Sequence, residues 1–122
     1  MDNNTYPKKE KLKQKNELNS VFQNGKWKTH KDLRVVFLKN DIDAANAKFG
    51  VSVSKKFFKK AVDRNRIKRL LRECYRLNKT TYHDSFGKGT LAMLFWVSKD
   101  LPKQYSEVEI QFLNLCKKIK NT

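Results

Sequence analysis

The sequence predicts one α/β domain of the α+β kind, a two-layer sandwich with a mixed sheet of about four strands and three helices. Three observations lead there. Hydrophobic spacing switches along the chain between a helical and an alternating period, in the order helix, strands, helix, strand, helix. The length, 122 residues, suits one two-layer core and not two. Apolar residues make up 39% and the rings number eight Phe, four Tyr and two Trp, enough to pack a core although 33% of residues are charged.

Residues 1–11 are polar and lysine-bearing without periodicity, and read as a flexible basic arm of a single domain spanning 1–122. From Leu12 to Gln23, Leu18, Val21 and Phe22 recur at helical spacing, and Gly25 follows where a helix stop belongs. Leu33–Leu38 is rich in β-branched and aromatic residues, with Leu33, Val35 and Phe37 on one face and Arg34, Val36 and Leu38 on the other. Asn40–Asn46 is a turn cluster. After it Phe49, Val51 and Val53 alternate with Gly50, Ser52 and Ser54, which predicts a second strand antiparallel to the first. Its second face carries only small side chains and is low enough for a ligand to approach.

Between Asp63 and Asn78, Ile67, Leu70, Leu71, Cys74 and Leu77 form an apolar stripe at a period of 3.6, opposite Asn65, Lys68, Arg69, Arg72 and Arg76. Asp63 fits the stripe poorly and reads as an N-cap. Gly87 and Gly89 punctuate a loop, and Leu91–Val97 is apolar on both faces, as a strand inside a sheet should be. Ser106 and Glu109 form a capping box ahead of a last helix whose core side is Val108, Phe112, Leu115 and Ile119.

Several function classes drop out. The longest apolar run, Leu91–Val97, has seven residues, too few to cross a bilayer, so no membrane partner is expected. The stretch MDNNTYPKKEKLKQ lacks the apolar segment of a secretory signal, so the expected location is cytoplasmic. Cys74 and Cys116 stand 42 residues apart with no histidine at ligand spacing, and read as reduced core thiols rather than a disulfide, zinc site or nucleophile. His30 and His83 have no carboxylate or cysteine partner at a telling spacing, so no catalytic residue, metal ligand or cofactor of the protein's own is expected. Gly87–Thr90, GKGT, precedes a strand and is a turn rather than a phosphate loop.

What remains is charge. Lys and Arg number 28 against 12 Asp and Glu, a net charge of +16, which favours a polyanionic partner and nucleic acid in particular. Eleven of the cations, with only two acids, fall between Lys55 and Lys79: Lys55, Lys56, Lys59, Lys60, Arg64, Arg66, Lys68, Arg69, Arg72, Arg76 and Lys79 itself. Arginine is frequent there, and a planar guanidinium grips phosphate oxygens bidentately where an ammonium acts as a point charge.

The segment FGVSVSKKFFKKAVDRNRIKRLLRECYR, Phe49–Arg76, resembles the signature of the bacterial ribonuclease P protein component, most specifically in RNRIKRLLRE. The resemblance extends to the first helix, the SVSKK strand end and the closing strand and helix. It implies a left-handed βαβ crossover through the basic helix, against the usual hand. It also implies a subunit that helps a catalytic RNA remove the 5′ leader from precursor tRNA, with catalysis and Mg²⁺ residing in the RNA. Carried over by position, Arg64, Asn65, Arg66, Lys68, Arg69 and Arg72 would contact the catalytic RNA. A cleft lined by Leu18, Phe22, Arg34, Val36, Ser52 and Lys55 would hold the single-stranded leader. The chain departs from the family pattern at Leu18 and Val36, where rings are common, and in the FFKK loop, Phe57–Lys60, which is one residue longer than usual and lacks a glycine. Two other readings share the charge: a ribosomal or assembly protein packing structured RNA, and a DNA-binding regulator, which the lack of a helix-turn-helix spacing disfavours.

Overall fold

The computed structural model describes residues 11, 12, 15–39 and 47–121. The arm before residue 11 and the turn cluster Asn40–Asn46 lie outside the described residues. In chain order the elements are α1 (Lys15–Asn24), β1 (Lys26–His30), β2 (Leu33–Leu38), β3 (Lys48–Val53), α2 (Ala61–Leu77), α3 (Lys79–Phe86), β4 (Leu91–Trp96) and α4 (Tyr105–Lys120). The sheet is mixed and four-stranded in the order β1-β2-β4-β3, with β4 antiparallel to β2 and parallel to β3. Parallel neighbours require a crossover, and α2 and α3 supply it.

Alternation builds the two faces. Leu33, Val35 and Phe37 of β2, Phe49 and Val53 of β3, and Ala92, Leu94 and Trp96 of β4 form the core face. They pack against Ile67, Leu71, Cys74 and Tyr75 of α2, Tyr82 and Phe86 of α3, and Val108, Phe112, Leu115 and Cys116 of α4. Phe49 stacks on Tyr75 with centroids 4.2 Å apart, and Tyr82 meets both edge-on. On the opposite face α1 seats Val21 over Val36 and Met93, with Leu12 beside them, and covers only part of the sheet. Among the described residues no helix is long and apolar enough to cross a membrane.

The predicted class holds, and the details differ in instructive ways. Among the described residues there are four helices: α3 falls where a loop was expected, closed by Gly87 at φ 96°, a backbone conformation that suits glycine. β2 and β3 run in opposite directions but are not neighbours, because β4 inserts between them. α2 begins at Ala61 after an extended Lys60, so Asp63 is not the N-cap but a first-turn acid placed favourably for the helix dipole. Leu77, assigned to the apolar stripe, is 42% exposed at the end of that helix. α4 begins at Tyr105, which puts Ser106 inside the helix. The capping-box partner Glu109 instead accepts hydrogen bonds from the Tyr105 hydroxyl at 2.6 Å and Asn78 Nδ2 at 3.1 Å, which hold its carboxyl below the usual range. Burial pushes both cysteine thiols up to about 12, so they stay protonated and inert.

Candidate nucleic-acid interface

Gly25 decides where α1 ends and how closely it approaches the sheet. Its N–H donates to the Val21 carbonyl at 2.8 Å, and a Cβ there would lie 2.4 Å from that oxygen and 2.9 Å from the Phe37 carbonyl oxygen. The close approach seats the apolar side of α1 and leaves Phe22, one residue past the buried Val21, 40% exposed at the helix edge.

Strand register then places a row of side chains beside it. Thr29, Arg34, Phe95 and Ser52 are successive partners across the four strands and therefore share the face that α1 covers only in part. The neighbouring row, Trp27, Val36, Met93 and Gly50, lies largely under α1. Trp27 escapes that cover because β1 is the sheet edge, and it too is 40% exposed. Phe22, Trp27 and Phe95 converge, with centroids 6.2 Å apart for Phe22 and Trp27, 6.2 Å for Phe22 and Phe95, and 5.9 Å for Trp27 and Phe95. The Arg34 guanidinium sits 4.4 Å from the Trp27 ring centroid. The result is a cleft with three rings, a cation on one ring face and a low serine at its far side.

Of the six cleft residues expected from sequence, Phe22, Arg34 and Ser52 gather at this open surface, and Lys55 is exposed just beyond the end of β3. Leu18 and Val36 do not. Val36 is fully buried and Leu18 packs against the same cluster, so both anchor α1 instead of facing a ligand. Trp27 and Phe95 were missed by sequence reading. The one signal for Trp27 is a large ring in an otherwise polar stretch, KWKTH, with no apolar face to join.

The second surface is α2. Asn65, Arg69, Arg72 and Arg76 stand at helical intervals on its outer side, flanked by Arg66 and Lys68, above a core side that holds Ile67, Leu71 and Cys74. The cations are not equivalent. Arg64 Nη1 donates to the Phe58 and Lys59 carbonyl oxygens, each at 2.8 Å, and so fastens the loop ahead of the helix. Arg76 is ion-paired with Glu73, and Arg66 makes a long hydrogen bond of 3.4 Å to the Lys103 carbonyl oxygen. The side chains of Asn65, Lys68, Arg69 and Arg72 make no hydrogen bond or ion pair among the described residues.

The FFKK loop has its own solution to the missing glycine. Phe57 and Phe58 N–H groups both donate to the Ser54 carbonyl, and Ser54 Oγ accepts from the Lys56 N–H at 3.0 Å. Phe58 is buried as an anchor, while Lys55, Lys56, Lys59 and Lys60 remain exposed around it. The loop thereby carries four cations from the end of the cleft to the start of α2.

Comparison with known proteins bears on the chain as a whole. The family described as Ribonuclease P matches residues 6–120. The ribonuclease P protein component of Porphyromonas gingivalis is 44% identical over 78% of this chain and 72% of its own length. That of Petrotoga mobilis is 32% identical over 98% of both chains. The RNase P protein structure from Thermotoga maritima superposes with a TM-score of 0.73 at 29% identity, covering 89% of this chain and 96% of that one. The Staphylococcus aureus RNase P protein gives the same TM-score at 19% identity over 91% of this chain and 95% of its own, a likeness of fold.

Proposed function

This chain belongs to the ribonuclease P protein family, and from that premise we propose how it serves the ribonucleoprotein that matures the 5′ end of tRNA. The outer side of α2 neutralises phosphates of the catalytic RNA, and the cleft beside α1 holds the single-stranded leader of the precursor tRNA. The observation that carries the leader assignment is the convergence of Phe22, Trp27 and Phe95 with Arg34 against the Trp27 ring. Rings accept any base on their faces and a guanidinium accepts any phosphate, so the cleft binds without demanding a sequence, as a subunit serving many leaders requires.

The division of labour is part of the same proposal. The protein contributes binding energy and charge screening, while cleavage and its Mg²⁺ ions are assigned to the RNA. Two polyanions, the catalytic RNA and its substrate, repel each other, and metal ions or protein cations relieve the repulsion. A protein that supplies cations at both surfaces lowers the metal needed. Such a role is performed in the cytoplasm, beside the RNA partners.

The test is reconstitution with a bacterial ribonuclease P RNA and measurement of precursor cleavage at low Mg²⁺, with and without protein. Cleavage restored by the protein supports the proposal. Tight RNA binding without rescue would instead favour a role in packing structured RNA.

A further inference from the structure

The row formed by Ser52, Phe95, Arg34 and Thr29 runs across the strands and ends at β1, the edge of the sheet. Its two ends differ. At the β3 end lie Lys55 and Lys56, which lead to α2. At the β1 end, three strand spacings or about 14 Å away, nothing in the leader reading assigns a role.

That end is strongly basic. Lys26 and Lys28 alternate with Trp27 and Thr29 and so lie on the other side of the same strand. Lys31 occupies the hairpin turn at φ 52° and is exposed. Lys118, from the last turn of α4, reaches the edge and donates from Nζ to the Thr29 carbonyl oxygen at 3.0 Å. Among the described residues the side chains of Lys26, Lys28 and Lys31 make no hydrogen bond or ion pair. The adjacent acid, Asp32, makes no ion pair with them among the described residues: its carboxylate accepts from Gln111 Nε2 at 3.0 Å, and its N–H donates to Gln111 Oε1 at 2.9 Å.

Edge lysines also deter strand-to-strand aggregation, but that role needs no continuity with a cleft. Here the cations begin where that row stops, on the strand that supplies Trp27. We propose that Lys26, Lys28 and Lys31 form a second phosphate-binding surface, which takes the distal part of a single-stranded RNA leader as it leaves the cleft over the β1 edge. The inference rests on the leader reading of the cleft and extends it by giving the bound strand a direction, from Lys55 at one edge to Lys31 at the other.

The experiment uses the holoenzyme reconstituted with a ribonuclease P RNA and three ligands: precursor tRNA with a long leader, the same precursor with a leader too short to pass the edge, and mature tRNA. The variant Lys26→Gln, Lys28→Gln, Lys31→Asn removes charge with side chains that suit an edge strand and, for asparagine, a left-handed turn. The expected result is weaker binding of the long-leader precursor alone, with its log-affinity against log-salt slope shallower by about 2, at about 0.7 for each single-strand phosphate no longer neutralised. Equal loss for all three ligands, or no loss for any, overturns the proposal. Trp27→Ala, measured alongside, separates the two readings. If it fails to discriminate precursor from mature tRNA, the cleft assignment itself falls, whereas discrimination by Trp27→Ala without leader-length dependence in the lysine variant removes only the edge surface.

Discussion

Replacing Arg69 and Arg72 together by alanine tests the α2 surface, because these two arginines are exposed and their side chains make no hydrogen bond or ion pair among the described residues. Alanine is at least as good a helix former as arginine, so the substitution removes charge without undermining α2. If each guanidinium neutralises one phosphate of the catalytic RNA, the slope of log affinity against log salt becomes shallower by about 1.4 to 1.8, the range from single-stranded to duplex phosphates. The wild-type and variant lines should converge near 1 M salt, where the screening length is only about 3 Å. Extrapolated back to about 0.15 M, the variant then binds roughly 15- to 30-fold more weakly. Titration of labelled catalytic RNA across about 0.05 to 0.4 M salt reads both quantities. The control is Arg64→Ala with Arg76→Ala, equal in charge removed but taken from side chains already engaged with the Phe58 and Lys59 carbonyls and with Glu73. Its slope should change by less than about 1, while its melting temperature falls as the loop ahead of α2 loses its fastener. An unchanged slope in the first variant, or an equal change in both, would refute the assignment of phosphate partners by side-chain availability.

Three further outcomes follow from the geometry. Trp27→Ala should weaken precursor binding by about 5- to 150-fold, the worth of one base stacked on a ring at about 1–3 kcal/mol, and leave mature tRNA unaffected; Phe22→Ala should act in the same direction, and equal loss on both tRNAs would return either ring to a packing role. Gly25→Ala should destabilise the fold by about 1–3 kcal/mol in urea unfolding, as overpacking does, since the new methyl would meet the Val21 and Phe37 carbonyl oxygens at 2.4 and 2.9 Å. Cys74 and Cys116 should resist alkylation at about pH 8 until the chain unfolds. Their folded values, about 12, lie above the ordinary thiol value of 9.0, so the native state keeps protons that the unfolded state surrenders. That stability is fully present at neutral pH and declines as pH rises past about 9, a loss that Cys→Ser substitution at either site should reduce.

How much of this was legible in the sequence depends on whether a local pattern carried the information. The long helix α2 was legible because its apolar period and its basic outer side coincide, and β4 because a strand flanked by two others is apolar throughout. β1 was not, since KWKTH is an edge strand whose exposed positions show no apolar alternation. α3 was not, because only Tyr82 and Phe86 are buried in its eight residues, too few to set a helical period beside two glycines. The pairing of β4 between β2 and β3 is a long-range choice that neither strand announces. The same reason hid half of the cleft: Trp27 and Phe95 lie 68 positions apart and meet only through the β2–β4 register.

That distance also explains the departures at Leu18 and Val36. Read singly, each removes a ring from the proposed leader cleft and predicts weaker stacking. In three dimensions the two aliphatic side chains join Leu12, Val21 and Met93 and let α1 sit down on the sheet until Val36 is fully buried, an approach that the missing side chain of Gly25 also requires. The rings then come from the strands, at Trp27 and Phe95, and face Phe22 across the opening. Stacking capacity belongs to the assembled surface, so an aromatic absent at one position and present at another leaves a three-ring cleft. Restoring rings at the sequence-expected positions would therefore not strengthen it: Val36→Tyr would drive a phenol under α1 and displace the helix that carries Phe22.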